Sequence, residues 1–124
     1  MDATPLLRSI PMFDGLSEDD LESLANALDM RTYPAGAEVF AQGDIGNAMY
    51  IVASGDINIF LPGEESRRVS LKDLGRGEFF GELALFDAKP RSASALATTD
   101  AVLYELKRAT LGAFLEHHPR AAMA

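Results

Sequence analysis

A chain of 124 residues holds one domain, taken as residues 1–124, and leaves little room for a second. With 11 basic against 19 acidic residues its formal charge is −8, which argues against a nucleic-acid surface and against electrostatic docking on an anionic membrane. At 48% hydrophobic it has material for a core, which argues against disorder, and the absence of cysteine excludes disulfides and thiolate metal sites. Apolar runs such as Ala48 to Ala53 are far too short to span a bilayer, and Met1-Asp2-Ala3-Thr4-Pro5 lacks the basic start and apolar core of a signal peptide. The expectation is a cytoplasmic protein, and the absence of cysteine is compatible with a reducing compartment without requiring one.

Ser17-Glu18-Asp19-Asp20 resembles a capping box, with acidic side chains where the helix dipole favours them. Leu21, Leu24, Ala25 and Leu28 follow at i, i+3, i+4 and i+7, so a helix is predicted from about Ser17 to Leu28, and Pro34 cannot continue it. Beyond Pro34 the period shortens. Glu38-Val39-Phe40 is a short run before the turn residues Gly43-Asp44 and Gly46-Asn47, and Met49 to Ala53 is a strand closed by Ser54-Gly55-Asp56. Ile57, Ile59 and Leu61 alternate with Asp56, Asn58 and Phe60 until Pro62-Gly63. Val69, Leu71 and Asp73 alternate less clearly, and Gly75 and Gly77 mark another turn. Ala93, Ala95 and Ala97 alternate with Ser92, Ser94 and Leu96, as do Val102, Tyr104 and Leu106 with Leu103 and Glu105. Short strands with a turn signal every ~8–12 residues indicate a sandwich or small barrel. Leu111, Phe114 and Leu115 restore a helical period before Pro119. The plan is helix, antiparallel β core, helix.

One segment breaks the strand pattern. Gly81 permits a sharp turn or a close backbone approach, and Glu82 to Phe86 are helix formers limited to one or two turns by Pro90. A short helix begun at a glycine points N–H groups at whatever precedes it, and that end favours an anion. Arg91, on the returning strand, brings a guanidinium suited to bidentate phosphate contact. Glu82 is an acceptor suited to a sugar hydroxyl. Anion donors beside a hydroxyl acceptor describe a ribose phosphate better than a free anion.

The stretch Phe80-Gly81-Glu82-Leu83-Ala84-Leu85, followed by Pro90-Arg91-Ser92-Ala93, closely resembles the phosphate-binding cassette of cyclic nucleotide-binding domains of the catabolite-activator and channel type. Gly43-Asp44, Met49-Tyr50-Ile51-Val52 and Ser54-Gly55 are similar to that family's early hairpins, and the likeness runs from about Ile10 to Leu115. The resemblance implies a mainly β fold with flanking helices: an antiparallel, jelly-roll-like β-roll with an N-terminal helix, a short cassette helix and a C-terminal helix. It implies that Arg91 pairs with the cyclic phosphate and that Glu82, helped by the Gly81 backbone, accepts from the ribose 2′-hydroxyl. The amides of Leu83, Ala84 and Ala93 are implied for the other phosphate oxygens, and Ser92 for a syn guanine without excluding cyclic AMP. In the family a further C-terminal helix often covers the base. Here the helix of Leu111 to Leu115 meets Pro119 with Arg120 to Ala124 following, so the resemblance leaves base selectivity open.

The function expected is a regulatory module that binds cyclic AMP or cyclic GMP as ligand, with no other cofactor, and couples occupancy to an effector domain or protein outside this chain: a channel, transporter, enzyme or regulator. The alternative is a degenerate, ligand-free roll used for interaction or assembly, in which Glu82 and Arg91 form a structural ion pair. A regulator of the catabolite-activator type needs a helix-turn-helix after the roll, for which these residues leave no room, and no contact of this domain with nucleic acid or membrane is expected. His117 and His118, the sole histidines, diverge by about 100° on a helix and do not chelate together. With no cysteine and no histidine beside a strand-end serine, no enzyme activity is expected.

Overall fold

The computed structural model describes residues 2–121. Helix α2 spans Glu18–Ala27, and the Ser17 hydroxyl caps it by accepting from the Asp20 amide at 3.1 Å. Leu21, Leu24 and Ala25 are its buried face. Two elements before it carry no clear sequence signal: α1 (Thr4–Arg8) and a 3₁₀ turn (Pro11–Phe13). Asp2 Oδ1 accepts from the Thr4 amide at 2.9 Å and from its hydroxyl at 2.6 Å, tying down the start of α1.

Among the described residues eight strands follow: β1 (Asp29–Tyr33), β2 (Glu38–Phe40), β3 (Ala48–Ser54), β4 (Ile57–Pro62), β5 (Arg68–Leu74), β6 (Phe79–Phe80), β7 (Ser94–Ala97) and β8 (Ala101–Lys107). Helix α3 (Arg108–His117) comes after them. The strands form two antiparallel sheets, ordered β1-β8-β3-β6 and β2-β7-β4-β5. The fold is therefore mainly β with few helices, as the turn spacing indicates.

β3 explains the architecture. Every residue from Ala48 to Ala53 is buried, so both of its faces are covered and its sequence is a continuous apolar run rather than an alternation. Met49, Ile51 and Ala53 face a cluster built with Leu7, Ile10, Phe13, Leu24, Leu106 and Phe114, under the helices. Ala48, Tyr50 and Val52 face the second sheet, in a cluster with Phe80 and Leu103 of their own sheet and Ile57 and Ala95 of the other.

Three details differ from the sequence reading. β1 was not legible because its side chains are exposed or half-buried throughout; it is held by backbone pairing with β8, from Asp29 opposite Glu105 to Tyr33 opposite Ala101. In β4 the single face of Ile57, Ile59 and Leu61 is not kept: Ile57 and Phe60 are buried while Ile59 and Leu61 are half-buried, and the pairing with β5 shifts register between Ile59 and Phe60, with Leu71 as the extra residue. In α3, Leu111 and Phe114 are buried while Leu115 is exposed. Each histidine ring returns to its own helix, His117 Nδ1 lying 2.8 Å from the Ala113 carbonyl and His118 Nδ1 2.9 Å from that of Phe114.

Candidate functional site

The site begins where β6 leaves β3. Tyr50 pairs with Phe80, and Gly81 then turns the chain in the left-handed region, φ +76°. A side chain is disfavoured there by conformation and by space, since a Cβ would stand 2.7 Å from Arg91 Nη1. Glu82–Leu85 follow as a 3₁₀ turn, anchored by buried Ala84 and Leu85. Leu83 and Phe86 are exposed.

The return segment is fastened to the loop before β3. Ile45 bridges Pro90, and the Arg91 amide donates to the Asp44 carbonyl at 2.6 Å. The Gly43 amide donates to the Arg91 carbonyl at 2.9 Å and the Gly46 amide to that of Lys89 at 3.2 Å. These bonds carry Arg91 over the loop and bring its side chain back toward Gly81.

The Arg91 guanidinium is half-buried. Nη1 donates to the Gly81 carbonyl at 3.1 Å and Nη2 to the Ala48 carbonyl at 2.7 Å, and Cζ lies 4.2 Å from the centre of the Phe40 ring. Burial pushes its pKa below the ordinary arginine value, and Tyr50, Asp44 and Glu82 oppose that shift. Two of five N–H donors are used, so three remain. Glu82 is half-buried, and its carboxylate makes no hydrogen bond or ion pair with a described residue. The two charges are therefore not a structural ion pair.

A cavity of about 380 Å³ opens between the turn and the return segment. All seven residues singled out in the sequence, Gly81, Glu82, Leu83, Ala84, Arg91, Ser92 and Ala93, line it, and Phe40, Ile59 and Phe80 supply apolar surface. Ser92 is exposed, and its carbonyl accepts from Gln42 Nε2 at 3.3 Å. The Ala84 amide donates to the Gly81 carbonyl at 3.2 Å within the tight turn. Among the described residues no cluster of three or more His, Asp or Glu could hold a metal.

Sequence reasoning missed three contributors. Phe40 reads as an apolar strand residue, yet it lies under the guanidinium. The Ala48 carbonyl reads as part of a ladder. Gly46 reads as one of two turn glycines, but its φ is not positive; space demands it, since a Cβ there would stand 2.7 Å from Arg91 Cζ and Nε and 2.9 Å from Ala84 Cβ. Nothing in the spacing signals these contacts, which join residues 38 to 51 positions apart in the chain.

The family model for the cyclic nucleotide-binding domain matches residues 30–118. A cAMP-dependent protein kinase regulatory subunit from Aspergillus niger is 41% identical over 102 residues, 82% of this chain and 24% of that protein. The Cyclic AMP receptor protein of Thermus thermophilus is 37% identical over 116 residues, 94% of this chain and 54% of that protein. The crystal structure of the N-terminal domain of a transcriptional regulator from Streptomyces coelicolor matches with a TM-score of 0.88 at 30% identity, covering 94% of this chain and 81% of that one. The chain thus spans about a quarter of the first relative and about half of the second.

Proposed function

The chain belongs to the cyclic nucleotide-binding domain family, and from that premise we propose that it binds cyclic AMP or cyclic GMP in the cavity behind the Gly81 turn and passes the occupancy to an effector. Arg91 contacts the cyclic phosphate with its unused donors. The amides of Leu83 and Ala93 serve the remaining oxygens, and that of Ala84 takes part through a three-centre bond. Glu82 accepts from the ribose 2′-hydroxyl, and Ser92 meets the base. The module acts by binding, with no bond made or broken. Its energy reaches an attached or separate effector as a difference in ligand affinity between two states. The domain itself meets neither nucleic acid nor membrane, and it works in the cytoplasm. No described helix is long and apolar enough to cross a membrane.

One observation carries this reading: in a chain of charge −8, a half-buried guanidinium with no carboxylate partner lines a cavity together with the unpartnered Glu82 carboxylate, while the other two charged residues of the lining, Asp87 and Lys89, pair with each other. That pairing suits a ligand with an anion at one end and a hydroxyl nearby. The test is calorimetric titration with cyclic AMP and cyclic GMP, alongside thermal melting. Saturable binding and a raised melting temperature are expected, because a ligand that binds the native state stabilises it. Flat titrations with an unmoved melting temperature at millimolar concentrations of both would overturn the reading and leave a ligand-free roll.

A further inference from the structure

We propose that Phe40 is a positioning residue for the ligand's phosphate: its ring, in place of an acidic side chain, holds the Arg91 guanidinium in the plane from which it receives the anion. This rests on the cavity being a cyclic nucleotide site.

An arginine that must stay put is commonly held by a carboxylate. Here the acids nearest in electrostatic effect, Asp44 and Glu82, form no ion pair with it. Two carbonyls, of Gly81 and Ala48, fix two corners of the guanidinium. Two corners still allow the plane to tilt, and the Phe40 face, 4.2 Å away, removes that freedom. The ring attracts a cation through its quadrupole while carrying no net charge. A carboxylate in its place would neutralise the guanidinium and compete with the phosphate for its donors. In a chain of charge −8, where the overall field repels an anion, an uncharged support leaves the local positive charge undiminished.

Phe40 is itself fixed. Its ring packs at 5.8 Å from that of Phe80 and 6.0 Å from that of Tyr50, which stack on each other at 5.4 Å. The Tyr50 hydroxyl donates to buried Glu105 at 3.0 Å. In β2 the register with β7 shifts between Glu38 and Phe40, a bulge of the kind that re-aims one side chain. The irregularity falls beside the residue that supports the arginine.

The test compares Phe40→Leu, which keeps apolar bulk without a ring, with Phe40→Tyr, which keeps the ring. Affinity for cyclic AMP and cyclic GMP is measured by calorimetry, and the Arg91 Nε–H resonance is followed by NMR in ligand-free protein. Phe40→Leu should weaken both ligands by about three- to thirty-fold, the range expected of a partly desolvated cation–π contact. Phe40→Tyr should stay within about three-fold of the parent, on the same contact energy. The resonance should lose its ring-current shift in Phe40→Leu and keep it in Phe40→Tyr. Equal affinity of Phe40→Leu and the parent, or equal loss in both variants, would overturn the proposal. If the parent chain binds no cyclic nucleotide, the site reading itself fails, while the ligand-free resonance still decides whether the ring holds the arginine.

Discussion

Two arginines in this molecule stack on a phenylalanine, and one of them builds a site. Arg91 lies over Phe40 at 4.2 Å, and Arg68 lies over Phe60 at 4.8 Å. Both supporting rings sit on strands of the same sheet, and Phe60 is the more buried. A cavity of about 390 Å³ borders Arg68, comparable in size with the one at Arg91. The difference lies in what else holds the guanidinium. Arg68 opens the exposed strand β5 and makes no side-chain hydrogen bond or ion pair with a described residue, so solvent screens its charge. Arg91 is drawn down by two carbonyls and by two glycines that leave no room for a Cβ beneath it. Stacking is therefore not sufficient. An arginine recognises an anion when backbone acceptors fix it, close-packed glycines admit it, and partial burial strengthens its field.

The sharpest way to break this contrast is Arg91→Ala. Loss of a charge-assisted contact worth about 1.5–3 kcal/mol should weaken cyclic nucleotide binding roughly ten- to a hundred-fold, with the melting temperature of the free protein little changed. Unchanged calorimetric affinity would remove Arg91 from the site. Glu82→Ala should cost about ten-fold for ligands with a 2′-hydroxyl and much less for the 2′-deoxy analogue; a mutant that discriminates ribose from deoxyribose as the parent does would exclude Glu82. Gly46→Ala should displace the flexible Arg91 guanidinium and also press on Ala84 in the tight turn, whose Cβ would stand 2.9 Å from the new methyl. A fall in affinity of roughly two- to ten-fold with a preserved fold is expected, and titration with a parallel circular dichroism melt checks it. Ser92→Ala should lower cyclic GMP affinity by a few-fold and more than cyclic AMP affinity, since one partly solvated hydroxyl contributes about 0.5–1.5 kcal/mol and only guanine offers a 2-amino donor. A larger loss for cyclic AMP would place Ser92 on the phosphate. Arg68→Ala is expected to change affinity less than about two-fold, in keeping with a screened surface charge; a loss like that of Arg91→Ala would erase the distinction between the two arginines.

What the sequence made legible was what local chemistry dictates. Ser17 and Asp20 mark the start of α2 because the capping bond spans three residues, and Gly81 to Pro90 show a short helix because a glycine and a proline bracket it. The strand from Met49 to Ala53 was visible as an apolar run, although its two separate packing faces were not. The seven cassette residues were recognisable as a motif, and they line one cavity. β1 escaped because an exposed strand held by main-chain bonds leaves no mark on side-chain periodicity. The burial of Phe60 beside Ile57 in β4 escaped because packing rather than alternation sets it, and the bulge escaped because Leu71, the extra residue, lies in the partner strand β5. Phe40, Gly46 and the Ala48 carbonyl escaped because their roles exist only once β2, the loop before β3 and the return segment are brought together.

The helical cluster sets where the folding unit begins. The family match starts at residue 30, yet Leu7, Ile10, Phe13, Leu21 and Leu24 are almost wholly removed from water against the outer face of β3 and β8. Each such side chain contributes about 1.5–3 kcal/mol on burial, so five together are comparable with the roughly 5–15 kcal/mol that separates a native domain from its unfolded chain. A fragment trimmed to the recognisable span would keep every cassette residue and α3 but lose the side chains of residues 7 to 24 that pack with Met49, Ile51, Ala53 and Leu106, uncovering part of one apolar sheet face, the kind of surface that drives self-association. The residues that carry the family's cassette and the residues that cover this sheet face therefore occupy different stretches of the chain.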